Sequence, residues 1–395
     1  MILKNCKLVG GEIRDIRIKE GKIAKIEKDL EEEEEVLDVN GKFVIPGLLD
    51  PHCHFREPGL THKEDFYTGS KAAAAGGFTT FLDMPNTNPP TISHTLLEEK
   101  RTLAKKSLIN YGFHFGASSG NASVIESVRN VPSTKLFMNI TTGDLLVDDE
   151  KEINKIFLAS DIVSVHAEDE MVKKAIWFSK NTGKKLYLCH ISTKEEIEVI
   201  KEEKNDKIFV EVTPHHLFLD SSLDNSNFTK MKPPLRDKKD RFSLWEAINS
   251  GVVDTIGTDH APHTVEEKER EEIVFGVPGS ETALPLMLNE VNKGNLNLSK
   301  VVELCCHKPA TIFGIENKGF LKEGYDADIT VIDIEKVKRV IGKDLFTKCK
   351  WSPFEGNELI GWPVMTIVNG NIVFNEGIIN ETNRGKEVVF NGSYC

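Results

Sequence analysis

Hydrophobic positions change their spacing twice along this chain, and the changes divide it into three stretches. Over residues 1–45 they alternate with polar ones in short runs. Ile16-Arg17-Ile18-Lys19 alternates, Glu20-Gly21 supplies a turn, and Lys22-Ile23-Ala24-Lys25-Ile26 alternates again. That period of two belongs to half-buried strands. The glutamates from Glu31 to Glu35 repel one another and predict a solvated turn.

From Phe43 the pattern becomes short apolar runs followed by helical stretches. Eight such runs occur, at 43–49, 78–83, 111–115, 135–139, 162–166, 185–190, 208–212 and 253–258. Between them, Leu96 and Leu103 share one face of a helix over 95–106. Ser192-Thr193-Lys194-Glu195 reads as a capping box opening a helix with Ile197 and Ile200 inward. Alternating strand and helix units predict a parallel sheet, and eight of them predict an α/β fold of the closed (β/α)8 type. An open doubly wound sheet is the rival. It is weakened because no glycine-rich dinucleotide fingerprint follows the first strand.

Beyond about residue 315 the alternating texture returns, with a strand at 327–333 and a hairpin of 364–368 and 371–374 around Asn369-Gly370, a type I′ turn pair. The expected organisation is a small β-sandwich built from both termini, residues 1–45 and 316–395, with the barrel, residues 46–315, inserted between its halves. No internal repeat is visible.

Composition narrows the class. With 50 basic and 62 acidic residues the formal charge is −12, which argues against nucleic acid or an anionic membrane as partner. No apolar run approaches the roughly 20 residues that span a bilayer. The start, MILKNCKLVGGE, lacks a signal-peptide layout. Seven cysteines spread over 395 residues do not resemble a disulfide framework. A cytoplasmic enzyme with a small-molecule substrate is the expectation.

The reactive side chains fall where the strands of a barrel end and its βα loops begin. His52 and His54 follow the first run, and residues two apart on extended chain point the same way. His166 ends the fifth run, His190 ends the sixth, and Asp259 follows the eighth. Singly, each has an ordinary reading: a hydrogen-bonded structural histidine, or an aspartate capping a helix. Jointly, at the same end of separate strands, four histidines and a carboxylate point to zinc.

The stretch His52-Cys53-His54-Phe55-Arg56-Glu57-Pro58-Gly59 resembles the HxHxREPG signature of the dihydroorotases, in the amidohydrolase superfamily. So do Met84-Pro85-Asn86-Thr87, Val165-His166-Ala167-Glu168, Cys189-His190-Ile191, Pro214-His215-His216-Leu217 and Thr258-Asp259-His260-Ala261-Pro262-His263. Order and spacing match over nearly the whole chain.

The resemblance implies two zinc ions per chain. His52, His54 and Asp259 would hold one, and His166 and His190 the other. Lys135 would be carboxylated and bridge them. The ordinary alternative is a lysine whose amine reaches water. Some relatives use an aspartate bridge, for which Asp144 is the nearby candidate, without that subtype's TDDG pattern. Asp259 would be the general acid/base of a binuclear zinc hydroxide mechanism. Arg56, Asn86 and His263 would bind the substrate carboxylate, the alternative for Arg56 being a surface ion pair. Thr141 and Thr142 resemble threonines of a mobile loop in some dihydroorotases, or else form a polar turn. Gly276-Val277-Pro278-Gly279 would shape a further site loop. Cys189, Glu211 and His216 resemble extra metal ligands of some animal relatives; the alternative is a buried thiol, a strand-end glutamate and a histidine supporting the site. The implied reaction is the reversible cyclisation of N-carbamoyl-L-aspartate to dihydroorotate. An allantoinase, a hydantoinase or an inactive scaffold relative are the competing readings.

Overall fold

In the computed structural model the described residues are 1–31, 34–141, 143–223 and 226–391. Glu32 and Glu33 of the acidic run, and Thr142, lie outside them. Five strands come first: β1 (Ile2–Lys7), β2 (Ile13–Lys19), β3 (Lys22–Glu27), β4 (Val36–Asp38) and β5 (Phe43–Pro46). The barrel strands follow as β6 (Leu48–Cys53), β7 (Phe78–Asp83), β8 (Asn110–Phe113) with β9 (Phe115–Gly116), β10 (Thr134–Phe137), β11 (Ile162–His166), β12 (Lys185–Leu188), β13 (Ile208–Val212) and β14 (Thr255–Ile256). The last four are β15 (Ile329–Arg339), β16 (Glu358–Val368), β17 (Asn371–Asn375) and β18 (Ile378–Ile379).

Parallel pairing runs β6-β7-β8 and then β9 through β14. His114 interrupts one strand between β8 and β9, its ring bonded to Ser133 Oγ at 2.7 Å and Pro51 O at 3.0 Å. Its neighbours keep the barrel continuous, with His114 N donating to Asp83 O and Phe115 N to Ser133 O. The seam closes where Asp259 N donates to His52 O and His54 N to His260 O, both at 2.8 Å. Eight strands with helices outside them therefore make the closed α/β barrel.

The run 43–49 is not one strand. Its first part, β5, joins the sheet of the terminal strands, antiparallel to β15. Its second part opens the barrel. Gly47 marks the switch, because an added Cβ would lie 2.2 Å from the Thr79 side chain. Apolar periodicity does not register such a change, since both halves are buried.

The nine terminal strands form one continuous mixed sheet around a core that includes Leu3, Ile16, Val44, Ile329 and Ile367. At the hairpin, Asn369 and Gly370 both have positive φ, as a type I′ turn requires. Residues 385–391 leave this sheet and return to the barrel, with Val388 N donating to Tyr111 O at 2.9 Å. That final segment therefore pairs with barrel strand β8, where Glu387 bridges Tyr111.

Two helix details differ from the sequence pattern. The helix His94–Ala104 buries Leu97, Lys100 and Ala104, while Leu96 and Leu103 are only half-buried. A lysine sits inward because Lys100 Nζ meets Asp83 at 2.6 Å. The helix Lys194–Glu203 is capped by the reciprocal pair Thr193 and Glu196, one residue later than Ser192 and Glu195.

Sheet and barrel meet at a buried polar joint. Lys318 Nζ reaches Asp328 at 2.6 Å and Asp326 at 3.0 Å. Asp328 also accepts from Asn110 Nδ2 at 2.9 Å and from Asn369 N at 2.7 Å. Removing one member of such a pair strands a buried charge. Lys318→Met is expected to cost about 3–5 kcal/mol, read as a lower urea midpoint; an unchanged midpoint would contradict this account of the joint.

Candidate metal centre

At the C-terminal mouth of the barrel, one pocket is lined by His52, His54, Arg56, Asn86, Lys135, Thr141, His166, His190 and Asp259. These residues come from β6, β7, β10, β11, β12 and the segment after β14, so barrel closure is what assembles them. Arg56, His190 and Asp259 have φ of 64°, 38° and 44°. Non-glycine residues adopt that region at a cost, and it concentrates at functional positions. Here it turns side chains into the pocket where strands give way to loops.

His54 Nε2 lies 2.9 Å and His52 Nε2 3.4 Å from the same Asp259 oxygen. The far nitrogens are occupied: His52 Nδ1 meets Glu211 Oε1 at 2.8 Å, and His54 Nδ1 meets Asn86 Oδ1 at 2.8 Å. A nitrogen that donates to an oxygen leaves its partner nitrogen with a free lone pair. Both rings thus present Nε2 as a donor atom toward Asp259. His166 works with the opposite edge. Its Nε2 meets Glu168 Oε1 at 3.2 Å, and its Nδ1 faces His190 Nε2 at 3.0 Å.

Burial sets the charge of these rings. It pushes His190 well below the usual histidine range, with His166 and Lys135 adding to the effect. It also lowers His166, against the pull of Glu168, and His54, against the pull of Asp259. Burial acts on His52 in the same sense, but Glu211 and Asp259 outweigh it and hold that ring well above its usual value. Asp259 is held well below the carboxylate range because His52 and His54 outweigh its desolvation. Neutral His54, His166 and His190 beside an ionised Asp259 are in the protonation states that bind metals, whereas His52, held charged by Glu211 and Asp259, would release a proton on binding one.

Lys135 is fully buried in the pocket floor, and its Nζ donates to Cys189 Sγ at 3.0 Å. Asp144 is exposed and does not line the pocket. Arg56 is buried, with Nε donating to Pro262 O at 3.0 Å and Nη2 lying 3.2 Å from His263 Nε2. Burial brings its guanidinium down only to about 10, so it stays charged at neutral pH. His263 stands one layer behind the pocket. It meets Phe275 O at 2.9 Å, Lys63 Nζ at 3.1 Å and Glu267 at 3.2 Å, and it reaches the pocket through Arg56. Burial, reinforced by Arg56 and Lys63, takes its pKa to about 3.

The third ligand group resolves differently from the sequence expectation. His52, Cys189 and Glu211 bring donor atoms within 4.8 Å of one another. His216 does not join them; its nitrogens are taken by Thr213 Oγ1 at 2.7 Å and Pro233 O at 3.1 Å. Sequence reasoning also missed Glu168 as the partner of His166, and Lys232, Phe137 and Phe275 on the pocket wall. Glu168 stands two residues after His166, so their proximity was readable. Lys232 precedes Pro233-Pro234 and gave no periodic signal. Gly276 matters as expected: its φ is 130°, and an added Cβ would lie 2.4 Å from Ala261 O and 3.2 Å from Arg56 Nη2.

The donor set fits divalent metal. His52, His54 and Asp259 put ligand atoms within 4.8 Å of one another, and two further imidazole edges face each other beside them.

Known proteins agree with this chemistry. The amidohydrolase family profile matches residues 43–373, and the chain belongs to the amidohydrolase family. Within it, the chain is similar to proteins named dihydroorotase. One from Methanosphaera stadtmanae is 38% identical, over 94% of this chain and 96% of that protein. Another, from Pyrococcus abyssi, is 38% identical over 99% of both. Among solved structures, an L-hydantoinase (dihydropyrimidinase) from Arthrobacter aurescens superposes with a TM-score of 0.93 at 30% identity, covering 98% of this chain and 99% of that one. The family and the donor set together make this a metal-dependent hydrolase fold.

The partners that orient the imidazoles are testable. Glu211 accepts from Tyr187 Oη and from His190 N as well as facing His52. Glu211→Gln should weaken metal binding roughly 10–100-fold, measured by chelator competition. Affinity equal to the parent's would remove Glu211 from the account.

Proposed function

We propose that the protein interconverts N-carbamoyl-L-aspartate and (S)-dihydroorotate plus water, as a dihydroorotase of pyrimidine biosynthesis. The observation that carries this reading is a buried, charged Arg56 in the same pocket as His54 and Asp259. A desolvated guanidinium needs an anion, and its fork fits a carboxylate. Dihydroorotate brings one. Hydantoin and allantoin rings are neutral, which disfavours the alternative that the hydantoinase likeness raises. A complete donor set likewise disfavours an inactive scaffold.

Nitrogen and carboxylate donors suit zinc. His52, His54 and Asp259 would hold one ion, and His166 and His190 a second. Lys135, carboxylated, would bridge them. The amine of Lys135 is buried beside a thiol, a costly place for a lone cation; carboxylation turns it into an anion among the metal ligands. When bound, such ions activate water at neutral pH and polarise the amide carbonyl.

The chain's own residues do the rest. Arg56 would fix the substrate carboxylate, its Nε anchored on Pro262 O with His263 lying beside the guanidinium, and Asn86 beside His54 would complete the clamp. In the ring-opening direction Asp259 accepts the proton of the attacking water and delivers it to the departing ring nitrogen. In cyclisation it runs the reverse path. Thr141 lines the same pocket; Thr142 lies outside the described residues. Among those residues, no helix is long and apolar enough to cross a membrane. Six cysteines there are buried free thiols, which supports a reducing cytoplasmic setting.

Purified protein should turn over dihydroorotate, but not allantoin or hydantoin, and lose activity with chelator. Preference for hydantoin would favour the second reading. Asp259→Asn should abolish turnover, and Arg56→Met should raise KM by about tenfold or more with metal retained. Parental activity in either variant refutes its assigned role. Ring closure consumes a proton, because the open form carries one more carboxylate. Acid should therefore shift the equilibrium toward the ring; a ratio constant with pH would contradict the assigned reaction.

A further inference from the structure

Behind the pocket wall, segments far apart in the sequence converge on one amine. Lys268 ends the short helix Val265–Lys268 and is 2% exposed. Its Nζ donates to Asn227 O at 2.8 Å, Val274 O at 2.8 Å and Lys230 O at 3.3 Å. An ammonium has three N–H donors, and three carbonyls match that capacity. The Trp351 ring lies beside it, 5.5 Å from Nζ to the centroid. The same indole donates to His263 O at 2.7 Å. The neighbouring carboxylate, Glu267, is engaged elsewhere, with Lys63 at 3.1 Å and His263 at 3.2 Å.

Stability alone does not call for this amine. A buried cation is costly, and an apolar side chain of similar volume is often as stable in its place. Burial, with Arg56 adding to it, pushes the amine down to about 7. What the amine does accomplish is to tie two loops together. Asn227 and Lys230 lead into Lys232, and Val274 precedes Phe275 and Gly276; Lys232, Phe275 and Gly276 all line the pocket. The loops are also bonded directly. Gly276 N donates to Lys230 O at 2.9 Å, and Val274 N to Asn227 Oδ1 at 3.2 Å. Their inner edge meets the anion clamp, because Phe275 O accepts from His263 and Gly276 leaves room for Arg56.

We propose that Lys268 is a positioning residue that clamps the loops carrying Lys232, Phe275 and Gly276 against Arg56 and His263, and so governs substrate binding without touching substrate. This rests on the dihydroorotase reading for its substrate, though not for the clamp itself. Lys268→Met keeps an unbranched side chain, one atom shorter, and removes the donors.

In the metal-loaded variant, KM for dihydroorotate should rise about tenfold while kcat changes less than about threefold, the signature of lost uniform binding. Backbone amide exchange should quicken in residues 227–232 and 273–277, with metal content and melting temperature close to the parent's. Asn227→Ala loosens the same loops from their half-buried side and should give the same pattern, which keeps the test open if Lys268→Met does not fold. Unchanged KM with unchanged exchange would overturn the proposal. So would a general loss of stability with kcat and KM falling together, since that marks a merely structural lysine. If the parent itself turns over no dihydroorotate, the functional reading fails, while the exchange measurement still decides whether Lys268 clamps the loops.

Discussion

The hydrogen bonds that close the barrel are the constraint on which this site depends. Asp259 N to His52 O and His54 N to His260 O join the end of β6 to the segment after β14. Residues more than 200 positions apart thereby become neighbours across one seam. Asp50 reinforces it, its buried carboxylate accepting from Thr258 N at 3.0 Å, Thr258 Oγ1 at 2.5 Å and His52 N at 3.2 Å. Thr258 and His52 adjoin the carboxylate and the imidazoles of the pocket, so one acid holds both sides in register. An open sheet has no such seam and would leave His52 and Asp259 at opposite edges.

Closure brings together groups that do not suit one another as bare side chains. His166 Nδ1 and His190 Nε2 face each other at 3.0 Å, Lys135 is buried next to a thiol, and desolvation keeps most of the rings neutral. Apolar residues of the same volume would stabilise the mouth better. The arrangement makes physical sense as a ligand set for divalent metal, whose charge offsets the desolvation of these groups. The supporting acids follow the same logic. Glu211 and Glu168 face the outer nitrogens of His52 and His166 and so choose which nitrogen points inward.

Much of this was legible in the sequence because it rests on local patterns. Eight apolar runs announced eight strands, and polar residues at their ends announced a mouth. What stayed hidden depends on contacts between distant segments. The split at Gly47 lies inside a continuous apolar run, and only the Thr79 side chain reveals it. Lys100 breaks the hydrophobic face of its helix because Asp83 waits inside the barrel. The inclusion of His52 rather than His216 with Cys189 and Glu211 turns on which ring meets Glu211: His52 Nδ1 does, while the nitrogens of His216 are engaged with Thr213 Oγ1 and Pro233 O. Lys232 and Phe275 sit on irregular loops, where neither periodicity nor spacing carries information.

The likeness to an L-hydantoinase at a TM-score of 0.93 separates two layers of the molecule. Barrel, seam and imidazole cluster make a centre suited to hydrolysing amides in general, and a fold shared so closely cannot by itself choose the ring. Choice falls to the layer around that centre. Arg56 is buried there against Pro262 O and His263, and His263 is kept neutral by its burial, reinforced by Arg56 and Lys63. A cation held this way has its own donors committed on one side and only the pocket on the other. Such a cation suits a ring bearing a carboxylate, whereas a neutral ring would leave it an unmatched buried charge.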